Sequence, residues 1–387
     1  MNSQQKINNH PTKPTIGYLA NNNKAAWNAY KERASIARKH GILLVLIPAK
    51  TQNIEQLLLQ NEISCRSWTG SSMKEIKVPA PKTYYDRTSV RSQEKNDASR
   101  LIAMMEKEGL AFVNPRSFRE LCADKWSTYE KLESYGITMP TTAIFEFPDL
   151  FTALNEHQTV FVKKRQSSQG DGQHVFIKLK KDRYKVISSD TQEEIHCDGS
   201  FDVMRYCVQN NIDGDYIVQE GINVDTIDDR IYDFRAIFQR DAKSTIQLTA
   251  IYTRVGAPES KQANIGKKGH PQDITVLFEH SKKVREEIRK TGLYVASKMS
   301  DNFGEVGLDF VYDKNMKLYL LEANSKPGSK GLREIREWNP QDDVHVQNNV
   351  LQYEYTDKLR HTWGVRLHHF LTRPLLYAKY LDKNISG

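Results

Sequence analysis

Two stretches in the last quarter of the chain carry oxygen ligands at a spacing that suits a hard cation. Gly307-Leu308-Asp309-Phe310 and Leu320-Leu321-Glu322-Ala323-Asn324 each read as a buried strand, with a polar turn at residues 313–315 between them. If the strands pair antiparallel, Asp309 and Glu322 come side by side at one end of the sheet. Asn324, two residues beyond Glu322, then points to the same face, because strand side chains alternate. Two carboxylates and an amide oxygen, completed by phosphate oxygens and water, suit Mg²⁺. A hairpin with a solvated acidic end has the same sequence appearance.

Three further groups have phosphate or base chemistry in them. Val160-Phe161-Val162-Lys163 precedes Gln166-Ser167-Ser168-Gln169-Gly170-Asp171-Gly172. A lysine leaving a strand ahead of a Ser/Gly turn offers an ammonium charge, and glycine lets backbone N–H groups approach a phosphate. A plain turn between surface strands is the alternative. A P-loop is excluded, since no G-x-x-x-x-G-K-[ST] occurs. Tyr216-Ile217-Val218-Gln219-Glu220-Gly221-Ile222 is an apolar strand reaching a polar junction, where backbone groups can imitate base pairing to adenine and Ile222 can wall the ring. By itself it is only a strand end. Asp233-Phe234-Arg235 opens one strand, Arg254 ends the next, and Asn264-Ile265-Gly266-Lys267-Lys268-Gly269 forms a loop. Arginines at neighbouring strand ends can converge on a phosphate or carboxylate; a solvated hairpin face is the alternative.

The elements that must position these groups follow from periodicity. Residues 15–19 and 42–47 read as short buried strands around a helix at 25–39. A further strand precedes Tyr85-Asp86-Arg87, a polar helix runs to about 107, and Ala111-Phe112-Val113 is strand again. Strands alternating with helices imply a parallel sheet. Residues 124–135 form a helix with Trp126, Tyr129 and Leu132 at helical spacing, closed by Gly136 and Pro140. Strand-rich sequence continues to about 185. Then come a helix at 201–210, the strand 216–219, a hairpin at 235–240 and 245–254, and a long helix at 278–299. Paired strands at 306–312 and 317–323 follow, with helices from 332 to the end. We expect an N-terminal parallel-sheet domain at 1–120, a small lobe at 121–220, and a large lobe with C-terminal helices at 221–387.

Bulk properties narrow the function classes. A chain of 387 residues exceeds what one core usually supports. The net charge of +8 arises from 56 basic residues dispersed among 48 acids, which argues against a nucleic-acid face and is equally met by a basic cleft for an acidic ligand. No apolar run approaches the ~18–20 residues of a membrane helix, and residues 1–10 show no signal pattern. Four separated cysteines without a C-x-x-C are expected to be reduced thiols in a cytoplasmic protein.

In this order — a lysine opening a helix, a lysine with a glycine loop, V-Q-E-x-I, D-x-R, a distant arginine, N-x-G-x-x-G, G-x-D and L-E-x-N-x-x-P-G — the motifs resemble the ATP-grasp superfamily. The arrangement is most similar to the YheC/YheD-type group, described as endospore coat-associated, and more distantly to RimK-like glutamate ligases. The resemblance runs from Ile16 through Tyr85-Asp86-Arg87 to Arg373-Pro374-Leu375-Leu376-Tyr377-Ala378. It implies an α/β ATP-grasp fold, with a pre-ATP-grasp domain and two lobes clasping ATP.

The resemblance also implies roles. Lys125 and Lys163 contact ATP phosphates; Gln219, Glu220, Gly221 and Ile222 hold adenine; Asp233 contacts the ribose or nucleotide. Arg235, Arg254, Asn264 and Lys267 face the γ-phosphate and acyl group. Asp309, Glu322 and Asn324 hold two Mg²⁺ ions, Mn²⁺ being the alternative, with Glu322 bridging. The reaction implied joins a small-molecule or peptide carboxylate to an amine-type nucleophile through an acyl phosphate. A kinase on the same fold, and a spore-coat protein with a nucleotide site but no turnover, are the rival readings. No membrane partner is implied, a homo-oligomer is left open, and the group's description adds spore association to the cytoplasmic expectation. Two departures stand out: Gly307 lies where D-alanine ligase-like members carry an arginine, so that role must fall to Arg235 or Arg254, and Asp171 puts a carboxylate inside the phosphate loop. The turn 169–172 and the loop 256–271 are expected to act as mobile lids.

Overall fold

The computed structural model describes residues 13–48, 57–88, 95–167, 171–227, 229–256, 269–277, 280–337 and 357–386. The chain divides into two compact units: Met1–Arg116 with Arg240–Thr245 and His369–Gly387, and Ser117–Gln239 with Ile246–His368. The C-terminal residues from His369 group with the first unit.

The first unit comprises β1 (Thr15–Ala20), α1 (Lys24–Lys39), β2 (Leu43–Pro48), β3 (Glu62–Trp68), β4 (Met73–Pro79), β5 (Thr83–Asp86), α2 (Lys95–Lys107) and β6 (Ala111–Phe112). The sheet order is β4-β3-β2-β1-β5-β6. Its β2-β1-β5-β6 section is parallel, as the alternation of elements implies. An antiparallel hairpin, β3–β4, extends the β2 edge and was not legible as strands. The α1 helix starts at Asn23, whose side chain accepts from the Ala26 N–H at 2.9 Å. Gly17 permits close packing across β1: a Cβ there would lie 2.4 Å from the Tyr84 ring.

The second unit holds two sheets. Elements α3 (Arg116–Ala123), α4 (Lys125–Glu133), β7 (Thr142–Ile144), α5 (Phe147–Glu156), β8 (Thr159–Lys164), β9 (Gln173–Lys178), β10 (Arg183–Ser188), β11 (Glu194–Asp198), α6 (Ser200–Gln209) and β12 (Tyr216–Glu220) lead through the first. Its order is β11-β10-β9-β8-β12-β7. Val160, Val162, Phe176, Val186 and Val218 face Leu150, Leu154, Val203 and Cys207 of the helices. The second sheet contains β13 (Thr226–Ile227), β14 (Arg230–Arg240), β15 (Ile246–Val255), β16 (His270–Gln272), β17 (Glu305–Tyr312) and β18 (Leu318–Asn324), in the path β16-β15-β14-β17-β18 with β13 on β14. Short α7 (Ile274–Leu277) and long α8 (Ser281–Met299) precede β17; α9 (Lys330–Glu337) and α10 (Asp357–Ser386) follow β18.

Period-2 patterning decides which face of this second sheet is core. Phe234, Ala236, Phe238, Leu308, Phe310, Leu320 and Ala323 pack with Val284, Ile288, Val295 and Met299 of α8. Phe118 and Leu132, from α3 and α4, join the same core, and Phe118 stacks on Phe303 at 4.7 Å. The alternate positions Asp233, Arg235, Gly307 and Asp309 are thereby set on the other face; on β18 the register shift opposite Asp309 and Phe310 lets both Leu320 and Ala323 face the core, so that Glu322 and Asn324 join the other face.

Candidate functional site

The register aligns the charged residues. Arg235 on β14 pairs with Asp309 on β17, and Asp309 pairs with Glu322 on β18, so the three form a row across the sheet. The next row contains Ile237, Gly307 and Asn324. The expected juxtaposition of Asp309 and Glu322 is therefore present, with a register shift between Asp309 and Phe310.

The arginines are not open groups. Arg254 grips Asp233 through two hydrogen bonds of 2.6 Å, and its Nη2 lies 2.9 Å from Asp309 Oδ2. Arg235 holds Asp309 through Nε on Oδ1 and through Nη2 on Oδ2 at 2.7 Å. Asp233, Arg254 and Asp309 are all buried. Burial opposes the Arg254 charge, but Asp233 and Asp309 outweigh it and raise its pKa well above the usual arginine value. Burial likewise opposes ionisation of Asp309, and the two guanidiniums reverse that and hold its carboxyl below the ordinary range. Burial keeps Asp233 above that range, with Arg254 offsetting only part. Gly307 completes the packing, since a Cβ there would stand 3.2 Å from Arg235 Cδ and 3.5 Å from Nη1. The space that an arginine at 307 would need is filled by the arginine from β14.

Lys163 comes from β8 of the other sheet and Lys125 from the start of α4. Lys163 Nζ donates to Gln219 Oε1 at 2.6 Å, and Gln219 Nε2 donates to Thr142 Oγ1 at 3.0 Å. Burial pushes the Lys163 ammonium down to about 8; the Glu322 carboxylate opposes this and the Lys125 charge adds to it. Lys125 opens α4, whose N-cap Asp124 accepts from the Trp126 N–H at 2.9 Å and is gripped by Arg165 at 2.7 Å. Lys125 Nζ reaches Lys164 O at 3.1 Å and Ser167 O at 2.9 Å. It too is lowered by burial, against the pull of Glu322. Glu322 thus sits between two lysines of one sign, yet its carboxylate accepts no hydrogen bond among the described residues.

The junction after β12 is built as a hinge. The Glu220 N–H donates to Thr141 O at 2.9 Å, its carboxylate accepts from the Thr141 N–H at 3.1 Å, and the Gly221 N–H donates to Thr159 O at 2.9 Å. Glycine is required at 221, where a Cβ would fall 2.5 Å from Thr159 O. Of the Ser/Gly turn, Gln166, Ser167, Asp171 and Gly172 are described, and the Gly172 N–H donates to the Asp190 carboxylate at 3.0 Å. Residues 168–170, Asn264, Lys267 and most of the 256–271 loop lie outside the described residues. Sequence reasoning missed Thr142, Arg165, Asp190 and Tyr252. None has a local motif, and each reaches the site across a strand pairing or turn that only folding creates.

The donor set can be tested against a divalent cation. An ionised carboxylate offers about four lone-pair positions and an amide oxygen two. The arginines use three on Asp309, and the Lys326 N–H uses one on Asn324 at 2.9 Å. Glu322 keeps all of its own, and Asn324 and Asp309 each keep one, which fits a hard cation centred on Glu322. Among the described residues no group of three His, Cys, Asp or Glu side chains converges for a metal; the set here is two carboxylates and an amide.

Two sheets, with Lys163 on one and a carboxylate row on the other, connected through Glu220-Gly221 after β12, make up the ATP-grasp fold. The chain belongs to the YheC/D-like ATP-grasp family, whose model matches residues 114–355. It is 23% identical over 265 residues to the endospore coat-associated protein YheD of Bacillus subtilis (strain 168), covering 65% of this chain and 58% of that protein. The chain thus spans less than two thirds of that relative's length. The VanG D-Ala:D-Ser ligase of Enterococcus faecalis is similar in fold, with a TM-score of 0.53 at 12% identity over 82% of this chain and 91% of that one. So is the N5-carboxyaminoimidazole synthetase of Staphylococcus aureus complexed with ADP, at 0.52 and 14% over 83% and 72%. Among the described residues no helix is long and apolar enough to cross a membrane.

Proposed function

We propose that the protein is an ATP-dependent ligase that activates a carboxylate as an acyl phosphate and passes it to an amine-type nucleophile. The observation that carries this reading is the Glu322 carboxylate, free of hydrogen bonds among the described residues, facing Lys163 and Lys125 beside the Arg235–Asp309 pair. That pattern supplies cationic groups for phosphate and an unsatisfied anionic centre for a cation within one cleft. Glu322, Asn324 and the remaining Asp309 lone pair would hold Mg²⁺, which when bound neutralises phosphate charge. Gly221 and Ile222 would receive adenine, with the Glu220 carbonyl and Ile222 N–H meeting its edge.

In the chemical steps, a carboxylate oxygen attacks the γ-phosphorus and ADP leaves. The amine nitrogen then attacks the acyl carbon, the C–O bond to phosphate breaks, and the nitrogen loses a proton. Lys163 and Lys125 neutralise the phosphates, and Arg235 is the guanidinium nearest the row where acyl charge develops. Arg254 and Asp233 position Asp309 and hence Arg235; Arg254 is assigned no direct oxyanion contact, because its fork is already committed to two carboxylates. Preorganisation of this kind is where such catalysis resides.

Hydroxylamine trapping tests the proposal. Over a panel of amino acids and peptides, hydroxamate should form only with ATP, magnesium and the correct acid. An accumulating phosphorylated product without hydroxamate or amide would instead establish a kinase, and no ADP release with any acid would leave a nucleotide-binding spore-coat protein.

A further inference from the structure

A second cationic centre, Arg366, neighbours Tyr252 through the Trp363 ring. Asp273, between β16 and α7, is 3% exposed. Its Oδ1 accepts from the Thr275 N–H and hydroxyl, both at 2.7 Å, and its Oδ2 accepts from Trp363 Nε1 at 2.6 Å. Three of its roughly four lone-pair positions are therefore used within the fold. Arg366, three residues along α10 from the fully buried Trp363, lies with its guanidinium carbon 4.3 Å from that ring. Its Nη1 comes no closer than 3.6 Å to Asp273 Oδ2, outside hydrogen-bond range. Among the described residues this nitrogen is a buried donor without a partner.

The charge count points the same way. The neighbouring group from α8 is Arg285, of the same sign; burial and that charge push Arg366 down to about 10, with Asp273 opposing. Arg366 thus has a like charge beside it and, at 3.6 Å, a carboxylate that is already satisfied by Thr275 and Trp363. A structural ion pair in this protein looks different: Arg254 closes on Asp233 with two bonds of 2.6 Å. A buried charged donor left unmade is costly, and the Trp363 ring beneath Arg366 holds the guanidinium in place rather than letting it swing to water.

We propose that Arg366, backed by Arg285 and seated on Trp363, is a binding site for an oxyanion of a small-molecule ligand, a carboxylate or a phosphate. The planar fork matches either group; Nη1 itself is buried, and the 12% exposure of the Arg366 side chain lies on its other atoms. Trp363 packs edge-on against Tyr252 at 6.4 Å, and Tyr252 lies two residues from Arg254 on β15, within the field of Arg235 and Arg254. Trp363 and Tyr252 therefore connect Arg366 with the surroundings of the carboxylate row. If the ligase reading holds, the oxyanion is the end of the acid or peptide substrate remote from its reacting carboxyl. That assignment rests on the ligase reading; the site itself does not.

The test uses the nucleotide-free, full-length protein, so failure of ligase activity leaves it intact. Thermal unfolding is followed with disodium succinate and with inorganic phosphate, each against sodium chloride of equal ionic strength, in wild type, Arg366→Gln and Arg285→Gln. General salting effects of these anions act on all three proteins alike, so the difference between them is the readout. Wild type should show a saturable rise in melting temperature. Arg366→Gln should lose at least about tenfold in apparent affinity and Arg285→Gln a smaller factor. Without anion, Arg366→Gln should melt at or above wild type, since it removes a buried, unbonded guanidinium nitrogen beside Arg285 while Asp273 keeps its bonds to Thr275 and Trp363. A response to succinate alone assigns a carboxylate, to phosphate alone a phosphate, and to both the oxyanion class. The proposal is overturned if the anion responses of wild type and Arg366→Gln coincide. It is also overturned if Arg366→Gln melts lower with its response unchanged, because Arg366 is then merely the partner of Asp273. Should Arg366→Gln fail to fold, an Arg285→Gln response identical to wild type overturns it.

Discussion

Arg254→Ala is the substitution for which the structure changes the expectation most. From motif order alone, Arg254 is a strand-end guanidinium facing the γ-phosphate and acyl group, whose loss is expected to slow chemistry by ~10²–10³. In the structure its removal strands Asp233 and takes one of the cations from Asp309, both buried. Breaking a buried pair from one side costs about 3–5 kcal/mol, because the surviving charge has no solvent. At roughly 2–4 °C per kcal/mol for a unit of this size, the melting temperature should fall by about 6–20 °C. Asp233→Asn in the Arg254→Ala background removes the stranded charge and should recover about 1–3 kcal/mol, as expected for directly coupled residues. Urea and thermal unfolding followed by tryptophan fluorescence measure all three proteins. An Arg254→Ala protein within about 1 kcal/mol of wild type, or a double variant no more stable than the single, would refute the argument and return Arg254 to the catalytic role.

Glu322→Gln should abolish turnover yet leave unfolding within about 1 kcal/mol of wild type, since no hydrogen bond among the described residues is lost; ADP release and circular dichroism together check this, and near-normal turnover removes Glu322 from the site. Lys163 has its folded pKa lowered to about 8, so the folded chain favours the neutral amine. Its contribution to stability is therefore least below pH 8 and grows as pH rises toward the ordinary value of about 10.4. Phosphate binding needs the ammonium, so ADP affinity by calorimetry should fall across the same window and do so less in Lys163→Arg; affinity flat from pH 7 to 9.5 would count against phosphate contact. Gly307→Ala places a Cβ 3.2 Å from both Arg235 Cδ and Pro327 Cβ, which should cost about 1–3 kcal/mol by overpacking and depress turnover through Arg235; unaltered kinetics would separate Arg235 from the reaction.

The fold class and the positions of the site strands were readable in the chain because both depend on local pattern. Period-2 alternation in β14, β17 and β18 puts Phe234, Leu308, Phe310 and Ala323 into the core and, by parity, Asp233, Arg235, Asp309, Glu322 and Asn324 onto the opposite face. The α4 helix, with its Asp124 cap and Lys125, was equally local. What the chain by itself left open is how those charges are spent. Whether Arg254 meets a ligand or Asp233 depends on the side-by-side placement of β14 and β15, and whether Arg235 fills the place beside Gly307 depends on the register of β14 with β17. The β3–β4 hairpin escaped notice because its pattern is mostly polar and its pairing partner is its own neighbour rather than a crossover strand. The Asp273–Trp363 contact joins residues 90 positions apart, and Arg366 carries no motif. Burial leaves an arginine nitrogen without a hydrogen-bond partner only once the surrounding elements exclude water, and that exclusion is a property of tertiary packing alone.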